Sequence, residues 1–478
     1  MAFNSYTYLL FLALAVYLFW QAPKSWRGPY LLVVSLVYYA TCNVSFVALP
    51  LAMGLGVYLI SRRILAQPKP HKGWMRLGIV LALAVLGFFK YRVFFLDSLN
   101  AVTSQFRLPT LAVAGALVLP VGVSFYTFEC IAYLIDTAQG RVGKPSLRNL
   151  SNFLVFWPNL TAGPILRARE LIPQFSFEKE FEFKFLVAGL DRFIWGLVQK
   201  SVFADPLGSW VDEGFTTGRT LSTLDGWFLA VAFGLQIYFD FAGYSNMAIG
   251  TAQMLGIKLP ENFRYPYHAS SPSDFWSRWH MTLTRWIRDY LFFPINTRFR
   301  GAPLPLYLSL VGTMALVGLW HGAGWGFILW GALHGLYMVF YRVAEAFVEA
   351  RRRQPATLKF WTPLWSLFTL LAVTAAWVPF RAHRISRTWA IWKSMFLGFS
   401  WGTGFAPRFY LVSLLLVLFC ALEPYLMSLV KKVDVAVSSH PRLPLPAVIT
   451  IRFAIYCCGL LGFMILNQRE VQFIYSQF

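Results

Sequence analysis

The chain has 478 residues, of which 57% are hydrophobic and only 13% are charged, and its mean hydropathy is +0.54. Soluble domains carry about a quarter charged residues, so this composition excludes a soluble globular protein and indicates an integral membrane protein. The net charge of +21 does not indicate nucleic-acid binding, because the basic residues sit in short connections between apolar segments.

Apolar segments that approach the length of a spanning helix recur along nearly the whole chain. They lie near residues 6–20, 30–49, 77–89, 111–135, 183–203, 227–247, 306–340, 361–379, 409–430 and 448–466. A spanning helix needs about 20 apolar residues, so we expect an all-α polytopic fold with about eleven transmembrane helices. We see no soluble domain between them and predict a single membrane-embedded domain over residues 1–478.

The basic residues cluster in loops, as the positive-inside rule predicts for cytoplasmic connections. Lys24 and Arg27 follow the first span and place the N-terminus outside, and further clusters are Arg62/Arg63, Arg351/Arg352/Arg353 and Lys431/Lys432. The first segment lacks a basic start and a cleavage site, so we expect a retained span. A basic docking surface for an anionic donor, such as a coenzyme, is the alternative explanation of the charge.

Between residues 258 and 300 the pattern changes, because charged and aromatic residues interleave over residues 274–290. Ser273 or Asp274 is a candidate cap for a helix here. Three arginines and three tryptophans in this stretch are typical of a helix that lies at the interface or dips into a polar cavity. We therefore expect short interfacial or re-entrant helices in addition to the spans.

The segment GLWHGAGW at residues 318–325 places His321 inside an apolar stretch. An ionisable residue at membrane depth costs about 2.5–3.5 kcal/mol if charged, so it usually faces a cavity, a partner or a reaction. Histidine also exchanges a proton near neutral pH. A hydrogen-bonded helix contact is the alternative, but His280 lies on a second helix that can return to meet His321, which favours catalysis.

Other chemistries lack their sequence signatures. There is no H-E-x-x-H motif, and His321 and His334 would not share one helix face, so no metal site is predicted. Ser245 lacks the closing glycine of a nucleophile elbow. There is no phosphate-binding loop of the G-x-x-x-x-G-K type.

The ordered motifs resemble those of the membrane-bound O-acyltransferases. The motifs are LPVGVSFYTF at 119–128, PNLTAGPI at 158–165, YFDFAGYS at 238–245, NFRYPY at 262–267, WHMTLTRWIRDYL at 279–291 and LWHG at 319–322. They are most similar to the bacterial branch that contains the membrane subunit of alginate O-acetyltransferase and the teichoic-acid D-alanyl transfer protein. The resemblance is strong over residues 119–340 and weak after residue 350.

The resemblance implies helices around a central tunnel, with His321 as the essential histidine and His280 as the second polar position. Asn246 departs from the aspartate expected in the bacterial branch. We expect His321 to act as general base, and His280 to hold the thioester carbonyl or orient the acceptor. The remaining candidates line the tunnel or donor entrance, or have structural roles, and they are Trp279, Arg285, Arg288, Asp289, Asp240, Tyr244, Asn246, Trp320 and His334.

By the same resemblance, the donor is a cytoplasmic thioester, either acyl-coenzyme A (acetyl in the simplest case) or an acylated carrier, with no bound cofactor. The expected partners are membrane lipids, an extracytoplasmic esterase-like transferase and a polysaccharide acceptor such as alginate, cellulose or peptidoglycan. The expected location is the bacterial inner membrane. Two alternatives stay open: a lipid or protein acyltransferase of the same superfamily, and a transporter, which would explain the spans but not the ordered motifs.

Overall fold

The computed structural model describes most of the chain. Its described residues are 1–66, 72–111, 118–297, 302–351, 358–382, 384–439, 456–457, 459–461, 463–464 and 474. Within these ranges the chain forms α-helices with short 3-10 and π segments and no β-strand, which confirms the predicted all-α fold.

Two compact units are distinguished by their contacts, and each is described by itself. The first comprises Met1–Leu190 and Met247–Pro260, and the second comprises Asp191–Asn246 and Glu261–Ile474. The single domain expected over the whole chain stays a prediction.

The first unit is a bundle of antiparallel helices. Its helices are α1 (Tyr6–Gln21), α2 (Lys24–Asn43), α3 (Ala48–Leu65), α4 (Lys72–Leu86), α5 (Arg92–Gln105), α6 (Val123–Ala138), α7 (Leu147–Val155), α8 (Ala168–Leu171) and the start of α9 (Phe183–Val198). A π segment, Gly87–Tyr91, joins α4 to α5. At Gly78 a Cβ would lie 2.6 Å from Leu134 and 3.2 Å from Ile60, so α4 packs closely between α3 and α6.

Two of the sequence motifs meet in the first unit. Gly122 has φ +74, a conformation that favours glycine, and a Cβ there would clash with the carbonyl oxygen of Leu160. Asn159 in turn donates from its amide to Glu129, 3.1 Å away and buried. The motifs at 119–128 and 158–165 therefore stabilise the start of α6 against the following segment.

The second unit contains the longest helices. Its helices are the end of α9, α10 (Asp205–Thr216), α11 (Thr223–Met254, whose last turns belong to the first unit), α12 (Pro272–Arg278), α13 (Met281–Ile287), α14 (Phe293–Asn296), α15 (Pro303–His321), α16 (Trp325–Arg351), α17 (Leu358–Arg381), α18 (Ile385–Leu397) and α19 (Pro407–Ser439). The short helices α12 to α14 agree with the expected re-entrant or interfacial region.

Eight helices among the described residues are long and apolar enough to span a membrane, and α1 is a shorter apolar helix. The predicted span near residues 111–135 corresponds to the 16-residue α6, and the one near 183–203 to α9 followed by the π segment Gln199–Ala204. The predicted span at 448–466 lies mostly outside the described residues. The multi-pass architecture is confirmed, whereas the total of eleven and the orientation stay predictions.

Helices α15 and α16 form a hairpin whose backbones touch. A Cβ at Gly318 would clash with the carbonyl oxygen of Phe327, and a Cβ at Gly331 would clash with that of Met314. Small residues allow such close approach between membrane helices. This contact ends at His321, the last residue of α15, and fixes it against α16.

Gly318→Ala should destabilise the second unit by about 1–3 kcal/mol, because its methyl group must displace the backbone of α16. Gly312→Ala, on the same helix, is the matched control, since a Cβ there would meet no atom within 4 Å. Thermal unfolding of the purified protein measures both. Equal melting temperatures for the two variants would contradict the close contact.

Candidate functional site

The charged and aromatic stretch forms two short helices instead of one. Ser271 caps α12 by accepting a hydrogen bond from the backbone N–H of Asp274 at 3.1 Å. The predicted cap at Ser273 or Asp274 is wrong, because Pro272 takes the first helical position and sets the start earlier. The π segment Arg288–Phe292 follows α13.

His280 lies at the junction of α12 and α13 in a left-handed conformation, with φ +42 and ψ 52. This conformation is unusual for a residue with a side chain and occurs often at functional sites. Backbone hydrogen bonds hold both sides of the junction: Met281 N–H donates to Asn262 O and Arg264 N–H to Arg278 O, each at 2.9 Å. The turn aims the His280 ring into the interior, where it is fully buried.

Asn262 orients the His280 ring. Its side-chain oxygen accepts from Thr282 Oγ1 at 2.9 Å and lies 3.1 Å from His280 Nδ1, while its amide donates to Ser245 at 3.0 Å. Because this oxygen can only accept, Nδ1 carries the proton and Nε2 is the acceptor nitrogen in the neutral ring. Burial lowers the pKa of His280 to about 3, so the ring is neutral near pH 7.

His321 lies in an aromatic enclosure at the end of α15 and is 3% exposed. Its ring centroid is 5.0 Å from Trp320, 5.1 Å from Trp330 and 5.6 Å from Phe380. The His280 ring is 6.3 Å away, which confirms that the two predicted histidines meet in space. A continuous tunnel to His321 stays a prediction.

His334 belongs to the same enclosure, one turn along α16 from Trp330. Its ring lies 5.0 Å from Trp330 and 5.2 Å from Trp276. The Nε1 atoms of both tryptophans and Nε2 of His334 are buried without a hydrogen-bond partner among the described residues. Buried polar groups normally have hydrogen-bond partners. The unsatisfied atoms here lie beside His321 and His334, and they are candidates for hydrogen bonds to a ligand.

Trp279 has a packing role in the same region. It stacks on Phe275 at 5.6 Å and contacts Trp377 at 5.0 Å and Phe263 at 5.1 Å.

Within the part of the chain that is described, no cluster of three His, Cys, Asp or Glu residues could hold a metal ion.

The α11 candidates form a different network. Asp240 pairs with the buried Lys200 at 2.6 Å, and its other oxygen accepts from the backbone N–H of Ile474 at 3.0 Å. Lys200 also pairs with Asp205 at 2.6 Å. Asn246 donates to the side chain of Gln199. These contacts favour the structural interpretation of Asp240 and Asn246. Tyr244 is buried on the same helix, with 2% of its surface exposed.

Arg285, Arg288 and Asp289 lie at the surface end of α13. Arg285 donates to the carbonyl oxygens of Met281 and Glu261, at 3.3 and 3.4 Å. Arg288 pairs with Asp289 at 2.8 Å. Their partners are local, so these side chains support the short helices.

A cavity of about 580 Å³ opens at the far end of α16 from His321. Ser271, Tyr307, Tyr341, Arg342 and Glu345 are among the residues that line it. Every third or fourth residue of α16 from this cavity to the enclosure is aromatic or polar, and these residues are Tyr341, Tyr337, His334 and Trp330. These residues form one face of α16 between the polar opening and the aromatic enclosure.

Sequence reasoning missed four residues that build this site. Asn262 begins a motif that was noted only as part of a resemblance, and Trp276, Trp330 and Phe380 resemble ordinary apolar residues of a helix. Lys200 was also missed, although a lysine inside the predicted span at 183–203 is a detectable signal.

The chain matches known proteins over most of its length. The sequence model of the membrane-bound O-acyltransferase family matches residues 123–374. A probable alginate O-acetylase from Azotobacter vinelandii is 40% identical over 408 residues, which cover 84% of this chain and 79% of the relative. A peptidoglycan O-acetyltransferase from Helicobacter pylori is 36% identical over 404 residues, covering 78% of this chain and 73% of the relative.

A more distant relative is a teichoic acid D-alanyltransferase from Bacillus subtilis. It is 27% identical over 253 residues, which cover 51% of this chain and 64% of the relative. The matched region of the family model contains His280, His321 and His334.

His280→Gly should be more stable than His280→Ala by about 1 kcal/mol, because glycine adopts the left-handed conformation without strain. Thr284 in α13 provides the matched control, since Thr284→Ala should there be more stable than Thr284→Gly by about 1 kcal/mol. Thermal unfolding of the four variants tests the reversal. A more stable alanine variant at both positions would refute it.

Proposed function

The chain belongs to the membrane-bound O-acyltransferase family, and we propose that it moves an acyl group from a cytoplasmic thioester across the membrane for O-acetylation of an exported polysaccharide. It is an O-acyltransferase and a multi-pass protein of the bacterial inner membrane. The alginate and peptidoglycan O-acetylating relatives support an acceptor such as alginate or peptidoglycan.

The pairing of His321 with His280 carries the proposal. Two imidazoles with ring centroids 6.3 Å apart, both buried among aromatic side chains, form a polar centre in an apolar surrounding. Exclusion of water matters here, because a thioester that meets water is lost to hydrolysis.

His321 is the proposed general base. It accepts the proton of the acceptor hydroxyl while the hydroxyl oxygen attacks the thioester carbonyl carbon. The C–S bond then breaks, and the proton passes from the imidazolium to the leaving sulfur, which gives an ester and a free thiol. General base action supplies about 10²–10⁴-fold, so positioning must supply the rest.

His280 is the proposed positioning partner of the acceptor. With its proton on Nδ1 and directed to Asn262, its Nε2 can accept a hydrogen bond but cannot donate one to the thioester carbonyl. Of the two roles expected from the sequence, this tautomer supports orientation of the acceptor, through a donor group other than the hydroxyl whose proton His321 accepts. The acceptor hydroxyl belongs either to the polysaccharide or to the extracytoplasmic transferase that completes the reaction.

The donor is proposed to enter through the cavity near Tyr341 and Arg342. From Tyr341 to Trp330 the face of α16 rises about 17 Å, which an extended pantetheine arm can follow. Coenzyme A and acyl carriers both end in this arm, so either could serve. The unpartnered N–H groups of Trp276 and Trp330 offer hydrogen bonds to its amide carbonyls.

His321→Ala should lower the acyl-ester content of the exported polysaccharide at least about 100-fold, because the hydroxyl then lacks its base. Alkaline release and quantification of acetate from the polymer measures the ester. Protein level and membrane insertion should equal those of the wild type.

His268→Gln is the control for that experiment. His268 lies in the same unit, but its Nε2 contacts the backbone oxygen of Cys420 at 2.8 Å, and glutamine can keep this contact. Its ester content should stay near that of the wild type. Normal ester content in the His321→Ala strain would reject His321 as the base.

Trp276→Phe should raise the donor KM about 2- to 10-fold, the value of one hydrogen bond, while kcat changes little. The melting temperature without donor should fall slightly, because the smaller phenyl ring leaves a cavity beside Trp330 and His334. Trp210→Phe is the matched control outside the enclosure. Acyl-donor turnover by purified protein provides both constants, and an unchanged donor KM would contradict the proposed route.

A further inference from the structure

A second cavity lies in the first unit and has no part in the proposed reaction. It encloses about 490 Å³ where the start of α7 meets the 3-10 turn Ile172–Ser176. Its polar lining includes Lys144, Arg148, Ser146 and Asn149.

The charged residues that line this cavity are both basic. Lys144 and Arg148 line it, no carboxylate does, and neither cation forms an ion pair among the described residues. Arg148 packs beside Gly28, where a Cβ would lie 3.7 Å from its Nε and 3.8 Å from its Cζ. The nearest sequence acid, Asp136, pairs with Arg141 at 3.4 Å.

Part of the cavity lining is apolar. This part consists of Tyr133, Ile172, Pro173 and Phe175, of which Tyr133 and Phe175 are buried. An inorganic anion would use only the two cations. A lining that combines cations with apolar and aromatic side chains fits the phosphate of an organic molecule, whose carbon skeleton can contact the apolar part.

The cavity lies at the basic end of the first unit. Because α4 packs between α3 and α6 and runs antiparallel to both, the end of α3, the start of α4 and the end of α6 share this side of the bundle. Basic residues concentrate there, and they include Arg62, Arg63, Lys72, Arg76, Arg141, Lys144 and Arg148. By the positive-inside rule this is the cytoplasmic face, where anionic lipids and phosphorylated metabolites are available.

We propose that this cavity binds the phosphate group of an organic phosphate at the cytoplasmic face, through Lys144 and Arg148. The phosphate comes either from a phospholipid headgroup of the inner leaflet or from a soluble nucleotide-like phosphate. Binding here does not depend on acyl transfer, so it is tested without an activity assay.

The full-length protein is purified in detergent and given two probes. The first is phosphatidylglycerol, with retention measured by native mass spectrometry, and the second is adenosine 3′,5′-bisphosphate, with binding measured by calorimetry. A basic side chain near an anionic surface contributes about fivefold in affinity, so the double variant Lys144→Ala/Arg148→Ala should bind about 20- to 30-fold more weakly.

The control is Arg62→Ala/Arg63→Ala, which removes the same charge from two exposed residues at the same end of the unit, outside the cavity. Its affinity for both probes should stay within about twofold of the wild type, because salt screens exposed charges that do not contact the bound phosphate. If the double variant does not fold, Lys144→Gln alone should weaken binding about fivefold.

The two probes identify the source of the phosphate. A selective loss of phosphatidylglycerol retention supports a lipid site, and a selective loss of bisphosphate binding supports a soluble ligand. If the Lys144/Arg148 variant retains both probes as well as the Arg62/Arg63 variant does, the proposal is overturned.

Discussion

The backbone contact between α15 and α16 is the constraint on which the candidate site depends. Glycines at 318 and 331 let each helix touch the carbonyl groups of the other, and this contact leaves no freedom for the residue that ends α15. That residue is His321, and the first turns of α16 supply Trp330 and His334 beside it. In a membrane the hydrophobic effect does not hold helices together, so the close packing of small residues contributes to their association. The same packing that stabilises the hairpin therefore also positions the imidazole.

A second constraint places the ring of His280 near that of His321. The left-handed turn between α12 and α13 would be strained without support, and Asn262 supplies support through its backbone and its side chain. The carbonyl oxygen of the Asn262 side chain selects the tautomer, and burial keeps the ring neutral. A neutral His280 in a buried enclosure suits acyl transfer, because a charged ring would be costly to bury and water would consume the thioester.

The sequence motifs divide into two kinds when their contacts are compared. Those around Gly122 and Asn159 pack one segment of the first unit on another, and the Asp240 region joins α11 to Lys200 in a buried ion pair. Those around Asn262, His280 and His321 build the enclosure. A buried ion pair that loses one partner leaves an uncompensated charge, so the loss of Asp240 should destabilise the fold even if Asp240 has no role in chemistry.

The sequence by itself determined the class of the protein and its two central histidines. Apolar segments of spanning length indicate membrane helices, and an imidazole within one of them is either a helix contact or part of a site, so His321 became a candidate from the pattern together with His280 and the motifs. The order of the motifs supplied the family. The sequence did not determine the break at His280, because a left-handed residue is stabilised by Asn262, which lies 18 positions earlier in the chain.

Only the tertiary structure decided which aromatic residues surround His321 and which polar residues are structural. Trp276, Trp330 and Phe380 come from three different helices, and a hydrophobic pattern cannot tell a tryptophan that faces the site from one that faces lipid. Asp240 could be assigned to Lys200 only once α11 and the segment after α9 were placed together. Spacing along one helix fixes which residues share a face, whereas contacts between helices depend on how the whole unit packs.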